Sequence, residues 1–182
     1  SGNPTLVFAT GGQVLHDLIV NNSVTLGSAL AITAGAEPGS VTVSAGTLTT
    51  NNNLTIKSDL DGTARVGESA GTITGNVEVE RFIRQNTNRG WRLLAVPTIT
   101  SQSIFESWQE SGSTSNGYGT LITSKAANAT SIGYDRQTPS NSMLYYDPTG
   151  NPTTGKWVGL ETATTSTPIQ TTSAYMLYIR GN

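Results

Sequence analysis

The sequence predicts an all-β fold, a short parallel β-solenoid followed by a β-rich region with one short helix. The chain is only 35% hydrophobic and is rich in Thr, Ser, Asn and Gly. β-Branched residues favour strands and Gly and Asn favour tight turns, so we expect many short strands. Triplets of the form apolar-x-apolar recur along the first half with a period in the twenties, which is typical of solenoid coils.

The repeat consists of two short motifs. NLTI at 53–56 follows SVTL at 23–26 and is followed by NVEV at 76–79. In a second register, AGTLT at 45–49 recurs as AGTIT at 70–74. One coil cannot bury its inner face alone, so stacked coils are expected to share an apolar core. A β-sandwich built from meanders also produces short alternating strands and stays open as the alternative.

We expect the chain to divide after residue 83. Residues 1–83 carry the repeat, whereas residues 84–182 lose it and contain all three Trp and all six Tyr. An open solenoid end exposes backbone groups and apolar side chains to edge-to-edge association. Residues 84–182 are therefore predicted to form a β-rich cap packed on the repeat region.

The second region combines strands with a single helical segment. Short apolar runs predict a buried strand at 91–96 and further strands at 143–146, 156–160 and 174–179, with mostly loop at 111–142. Ser103 and Glu106 have the spacing of a capping box, which predicts a helix at 103–110. Trp91 and Trp108 are expected to lie in the core.

Charge and composition exclude several classes of function. The net charge of −2 has no basic stripe, so nucleic acid is not an expected partner. No apolar run approaches the roughly 20 residues that span a bilayer, so we expect no membrane insertion. The absence of Cys removes thiol catalysis, thiolate metal sites and disulfides. Few Lys and many Thr, Asn and Ser favour an exported protein.

The only candidate metal site is for calcium. The segment KSDLDG at 57–62 resembles a calcium loop, but Lys57 occupies the position of the first carboxylate ligand. A Gly-containing turn with solvated carboxylates is the favoured interpretation. A looser calcium site formed by Asp59 and Asp61 is the alternative, and no other cofactor is expected.

The sequence predicts no catalytic residue. His16 is the only histidine, and the adjacent Asp17 should point to the opposite face if both lie on one strand. A Ser-His-Asp arrangement at His16 is therefore not expected.

Glu78 and Glu80 are not predicted to form an active site either. Glu78 and Glu80 share one face, about 7 Å apart by strand rise, which is a separation compatible with acid–base chemistry. Solvated or ion-paired surface carboxylates are the favoured interpretation, with Arg65 and Arg81 on neighbouring coils as candidate partners.

Aromatic side chains are candidates for glycan binding, because a flat amphipathic ring offers a large contact area at low entropic cost. The candidates are Tyr118, Tyr134, Tyr146 and Trp157. The alternative is that most aromatic residues form the small core of the second region.

Six segments carry a resemblance to a known class of proteins: DLDGTARVG at 59–67, TGNVEVERFI at 74–83, GWRLLAVP at 90–97, SWQE at 107–110, GYGT at 117–120 and YMLYIRG at 175–181. Together they resemble a region of secreted, multidomain surface proteins of Bacteroidetes-type bacteria. The resemblance covers roughly residues 45–182. It implies type IX export, an extracellular location and a stalk, adhesin or accessory role, and it supplies no catalytic motif.

The predicted function is accordingly non-enzymatic. We expect a structural or adhesion module of a large exported bacterial surface protein, capping a β-solenoid stalk and contacting neighbouring domains of the same polypeptide. A carbohydrate-binding accessory module that uses exposed aromatics on surface glycans is the alternative. A polysaccharide-cleaving fragment is the weakest hypothesis.

Overall fold

The fold is that of a computed structural model, which describes residues 2–83, 89–96, 103–109, 120–150, 153, 156–161 and 174–179. The chain forms two compact units, Ser1–Arg84 and Gln85–Asn182. The expected all-β fold with a short solenoid and one short α-helix is confirmed within these residues.

The first unit is a parallel β-solenoid of about three turns. Its strands are β1 (Thr5–Leu6), β2 (Val14–Leu15), β3 (Asp17–Val20), β4 (Val24–Leu26), β5 (Leu30–Ile32), β6 (Ser40–Val43), β7 (Thr47–Thr49), β8 (Leu54–Ile56), β9 (Arg65–Val66), β10 (Thr72–Thr74) and β11 (Val77–Val79). They form three sheets with the orders β1-β4-β7-β10, β2-β5-β8-β11 and β3-β6-β9. Each of the first three coils thus adds one strand to every sheet, and a further partial coil adds β10 and β11.

The solenoid core consists of apolar columns that run from coil to coil. In the second sheet, Leu30 lies beside Leu54, and Leu54 lies beside Val77. Ile32 and Ile56 form a parallel column two residues further along the same strands. Strand alternation turns these residues inward, so each coil covers the apolar side chains of the next.

The register confirms most of the predicted repeat and corrects one match. NLTI at 53–56 lies directly beside NVEV at 76–79, and AGTLT at 45–49 lies beside AGTIT at 70–74. The match of NLTI with SVTL at 23–26 is wrong, because the two segments belong to different sheets. Any inward-facing strand has the same apolar alternation, so a short motif cannot identify its sheet.

Turn residues fix the corner between β7 and β8. Asn51 and Asn52 have φ of 50° and 62°, a left-handed conformation that Asn tolerates well. The side-chain Nδ2 atoms of Asn51 and Asn53 donate to the backbone carbonyl of Leu26 on the preceding coil, at 3.4 and 3.2 Å. The Asn-rich corner therefore joins adjacent coils and also turns the chain from the first sheet into the second.

The second unit contains an antiparallel sheet with the strand order β12-β15-β13-β14. Its strands are β12 (Gly90–Ala95), β13 (Met143–Tyr146), β14 (Trp157–Gly159) and β15 (Ala174–Ile179). One face of the sheet is buried, with Met143, Tyr175 and Leu177 at its centre. Ile104 and Ile122 pack in the same apolar cluster, so the helical segment covers this face.

The predicted helix is present but shorter than expected. It forms α1 (Ile104–Ser107), followed later in the chain by a 3-10 turn at Ala129–Ile132. Ser103 and Glu106 form the predicted capping box, with the Glu106 amide donating to Ser103 Oγ at 3.3 Å. Directly after the helix, Gln109 is buried and its side chain donates to Asp135 Oδ2 at 3.1 Å.

The two tryptophans expected in the core behave differently. Trp108 is half-buried in the second apolar cluster and meets the Tyr175 ring edge-on at 5.5 Å. Trp91 is 39% exposed, so its assignment to the core is wrong. Trp91 and the half-buried Leu94 are three residues apart on β12, an odd spacing that puts them on opposite faces.

Candidate functional site

The outer face of the antiparallel sheet carries a continuous set of aromatic and aliphatic side chains. Residues paired directly across neighbouring strands share a face, so the register defines its members. We call it the aromatic face, and it comprises Trp91, Leu93, Leu144, Tyr146, Trp157, Met176 and Tyr178. None of these seven residues is charged, and three of them, Trp91, Leu93 and Trp157, are exposed.

Tyr146 and Trp157, two of the predicted glycan-binding residues, are brought together at one end of this face. They are directly opposite each other on β13 and β14. Their ring centroids are 5.3 Å apart with an interplanar angle of 66°, and Trp157 is 36% exposed. Lys156 Nζ lies 5.8 Å from the centroid of the Tyr146 ring, within the range of a cation–π contact.

A second aromatic pair occupies the other end of the face. Trp91 on β12 is opposite Tyr178 on β15, with ring centroids 5.3 Å apart and an interplanar angle of 59°. Neither residue is among the sequence-predicted glycan-binding candidates, and Trp91 was expected in the core. The alternation in GWRLLA contains the missing signal, since Trp91 and Leu93 share one face and Arg92 and Leu94 the other.

Polar groups border the Tyr146–Trp157 end. Asp147 Oδ1 accepts hydrogen bonds from the hydroxyl and the amide of Thr149, both at 2.8 Å. These bonds, the hydroxyl first, and the charge of Lys156 hold the pKa of Asp147 below its usual value. A fixed carboxylate and an ammonium group therefore lie beside an aromatic pair.

Tyr134, another aromatic candidate, does not contribute to this face. Tyr134 is 3% exposed and its hydroxyl donates to the carbonyl of Leu160, so the prediction of an exposed ring is wrong. Burial, followed by the charge of Glu161, raises the pKa of Tyr134 to about 12. Tyr118 lies outside the described residues.

The two aspartates proposed for calcium lie in a surface turn. Asp59 Oδ1 accepts from the amides of Asp61 and Gly62, at 2.9 and 3.0 Å, which is the hydrogen bonding of an Asx turn. In the part of the chain that the structure describes, no group of three His, Cys, Asp or Glu side chains is placed to hold a metal ion. Calcium binding through Asp59 and Asp61 stays a prediction.

His16 and Asp17 are in contact, contrary to the expectation that they face opposite ways. His16 Nδ1 lies 2.7 Å from Asp17 Oδ2, because the chain bends at His16 between β2 and β3. Asp17 Oδ1 accepts from the hydroxyl of Ser40 at 2.7 Å. The carboxylate thus lies between the serine and the imidazole, whereas a hydrolytic triad needs the imidazole between the other two.

Glu80 is occupied in a structural interaction. Its carboxylate pairs with Lys57 Nζ at 2.5 Å and accepts from the amide of Ser58 at 3.2 Å. The predicted arginine partners are wrong for this residue, since Arg81 instead donates to the backbone carbonyl of Glu80. The pair joins neighbouring coils.

Comparison of the chain with protein families, curated proteins and solved structures gives no match. Among the residues that the structure describes, no helix has the length and apolar character needed to cross a membrane.

Proposed function

We propose that this chain is a non-enzymatic structural and adhesion module of a large exported bacterial surface protein, in which residues 2–83 form part of a β-solenoid stalk. The supporting observation is the state of the first coil. Within the described residues, β1, β2 and β3 each have a neighbouring strand on one side only. Their other edges present backbone groups suited to a further parallel strand.

Several inward-facing side chains of this coil are also incompletely buried. Leu6, Leu15 and Leu18 are only half-buried, whereas Leu26, Ile32 and Val41, their register partners one coil further on, are fully buried. A further coil stacked on β1–β3 would remove this apolar surface from water, which is favourable in proportion to its area. The first coil therefore has the chemistry of an internal coil of a longer stack.

The opposite end of the described coils carries more charge. The exposed Arg65 and Glu78 lie on β9 and β11. Glu80, the partner of Lys57, and the exposed Arg81 directly follow β11. Charged side chains on edge strands discourage further pairing, so these groups favour termination of the stack at this end. Val66 is nevertheless 50% exposed there, and the covering role of residues 84–182 stays a prediction.

Composition and resemblance support export. The chain has no Cys and is rich in Thr, Ser, Asn and Gly, and its stability rests on repeated backbone pairing. The resemblance to surface proteins of Bacteroidetes-type bacteria favours the same location.

Surface labelling tests this location. Antibodies raised against the purified chain should stain intact cells of the source organism, and brief external protease treatment should remove the signal. A cytoplasmic protein labelled in parallel verifies that the cells are intact. Staining that requires permeabilised cells would overturn the proposal.

A further inference from the structure

We propose that the aromatic face binds an uncharged polysaccharide, with the Tyr146–Trp157 pair as its main stacking platform. A pyranose ring has an apolar C–H side and a rim of hydroxyl groups. The half-exposed rings at both ends of the face match the apolar side of such a ligand. Indole N–H and phenol O–H groups on the same rings suit the hydroxyl rim.

Pairing of the rings prepares them for binding. Each exposed Trp is held against a Tyr at a centroid distance of 5.3 Å. Aromatic side chains have only two rotatable angles, and contact with a neighbour restricts them before the ligand arrives. Less conformational entropy is then lost on binding, which increases affinity.

The distribution of charge favours a neutral ligand. The aromatic face contains no charged side chain, so it offers no complement to phosphates or anionic sugars. Among the described residues at its border, Asp147 is fixed by Thr149, Lys156 lies near the Tyr146 ring, and Arg89 precedes Trp91 by two residues. A carboxylate acceptor beside an ammonium donor can hydrogen-bond to sugar hydroxyls at the edge of the stacked ring.

The spacing of the two pairs favours a chain over a single sugar. The exposed tryptophans lie on β12 and β14, the two edge strands of the four-stranded sheet. Tyr178 is level with Ser142, four residues before Tyr146 along β13. With strands about 4.8 Å apart and a rise of about 3.4 Å per residue, the two tryptophans are roughly 20 Å apart.

The layout also favours a glycan over a protein partner. Protein interfaces concentrate their binding energy in large residues near the centre of the patch. Here the centre is formed by the half-buried Leu144 and Met176, and the large rings lie at the two ends. Two separated platforms suit an extended chain that crosses the sheet diagonally.

The test uses the full chain and isothermal titration with soluble xylan, mannan, laminarin and hydroxyethylcellulose, with polygalacturonate as the anionic comparison. Trp157→Ala should weaken binding to a neutral polysaccharide by about tenfold or more, and Trp91→Ala should weaken it less. Phe105→Ala is the matched control, because Phe105 is 38% exposed and lies on α1, which packs on the buried face of the sheet opposite the aromatic face. Trp157→Tyr, which keeps a stacking ring, should retain most of the affinity.

Several outcomes would overturn the proposal. They are no binding of the unaltered chain to any neutral polysaccharide, binding to polygalacturonate alone, or equal losses for Trp157→Ala and Phe105→Ala. Concentration-dependent dimerisation that Trp157→Ala abolishes, without glycan binding, would assign the face to a second copy of the chain. For each variant, a near-ultraviolet circular dichroism spectrum that differs from that of the unaltered chain only by the contribution of the substituted aromatic residue shows that the variant is folded.

Discussion

At the scale of single residues, His16 and Asp17 show how one bend of the chain creates an interaction that strand alternation forbids. His16 Nδ1 contacts Asp17, and His16 Nε2 lies 2.9 Å from the carbonyl oxygen of Glu37 on the next coil. Both partners accept hydrogen bonds, so a protonated imidazole satisfies both. The carboxylate of Asp17 also accepts from Ser40, which joins the same two coils.

This geometry gives the contact between the first two coils a defined pH dependence. The Asp17 carboxylate, followed by the Glu37 carbonyl, raises the pKa of His16 above its ordinary 6.5, and the Ser40 hydroxyl, followed by His16, lowers the pKa of Asp17 below its ordinary 3.8. The His16 contribution to stability is complete below pH 6.5 and is lost as pH rises through its raised pKa. The Asp17 contribution is present above pH 3.8 and is lost as pH falls through its lowered pKa.

The contact is therefore strongest between pH 3.8 and 6.5. Titration of the imidazole by NMR checks this prediction. Asp17→Asn should bring the pKa of His16 back toward its ordinary value and reduce the fall in melting temperature on the alkaline side. Glu37 is the other charged residue facing His16, and Glu37→Gln should change the pKa less, since its backbone carbonyl is retained. An unchanged pKa in Asp17→Asn would contradict the account.

Close approach of adjacent coils also depends on Gly39. A Cβ atom at this position would lie 1.9 Å from the carbonyl oxygen of His16, which is backbone and cannot rotate away. Gly39→Ala should therefore lower the free energy of unfolding by about 1–3 kcal/mol or more, since about 1–3 kcal/mol is the usual cost of overpacking. Gly12→Ala is the control, because its Cβ would meet only Ala9 O at an ordinary 3.5 Å. Urea denaturation measures both, and equal stability of the two variants would show that the coils are not packed this closely.

At the scale of elements, β8 allows the inside and outside of the solenoid to be compared at neighbouring positions. Leu54 is fully buried between Leu30 and Val77, whereas Thr55 is directed outward. Leu54→Ala should lower the free energy of unfolding by about 2–5 kcal/mol, because it removes buried methyl groups and leaves a cavity. Thr55→Ala should change it by no more than about 0.5 kcal/mol. Chemical denaturation that reverses this order would be incompatible with the register described.

Strands and helices were predictable from the sequence where neighbouring residues along the chain determine them. Short apolar runs predicted β13 and β15 at their observed bounds, and the capping box at Ser103 and Glu106 predicted the start of α1. The pairing of β12 with β15 was not predictable, since it joins segments far apart in the chain. The aromatic face follows from that pairing. Sequence could therefore list Tyr146 and Trp157 as candidates but could not place Trp91 and Tyr178 on the same surface.

At the scale of the whole molecule, the repeat is irregular because the turns vary while the sheets do not. β2 and β3 are separated by His16 alone, whereas the corresponding connections in the next coils cover 33–39 and 57–64. The strands nevertheless continue in register through each sheet. The fold class can therefore be predicted from the period of the apolar triplets. The alignment of individual coils requires the backbone pairing, which only the structure gives.

The central claim is that the first coil is built to be covered by another. Residues 3, 23 and 47 are level with one another in the first sheet, as the alignment of Thr5 with Thr25 and of Thr25 with Thr49 shows. A copy of residues 23–46 fused directly before Asn3 of the full chain would therefore continue all three sheets by one coil. A matched control fuses the same copy with its six buried aliphatic residues changed to Ser, at positions Val24, Leu26, Leu30, Ile32, Val41 and Val43.

The most direct measurement is the melting temperature of these two fusions beside that of the unaltered chain. The apolar coil should raise the melting temperature by at least about 4 °C, the shift that about 1 kcal/mol produces in a domain of 60–100 residues, because it buries Leu6, Leu15 and Leu18. The Ser-substituted coil should give no increase. Equal melting temperatures for the two fusions, or a lower value for the apolar one, would contradict a solenoid edge that accepts a further coil.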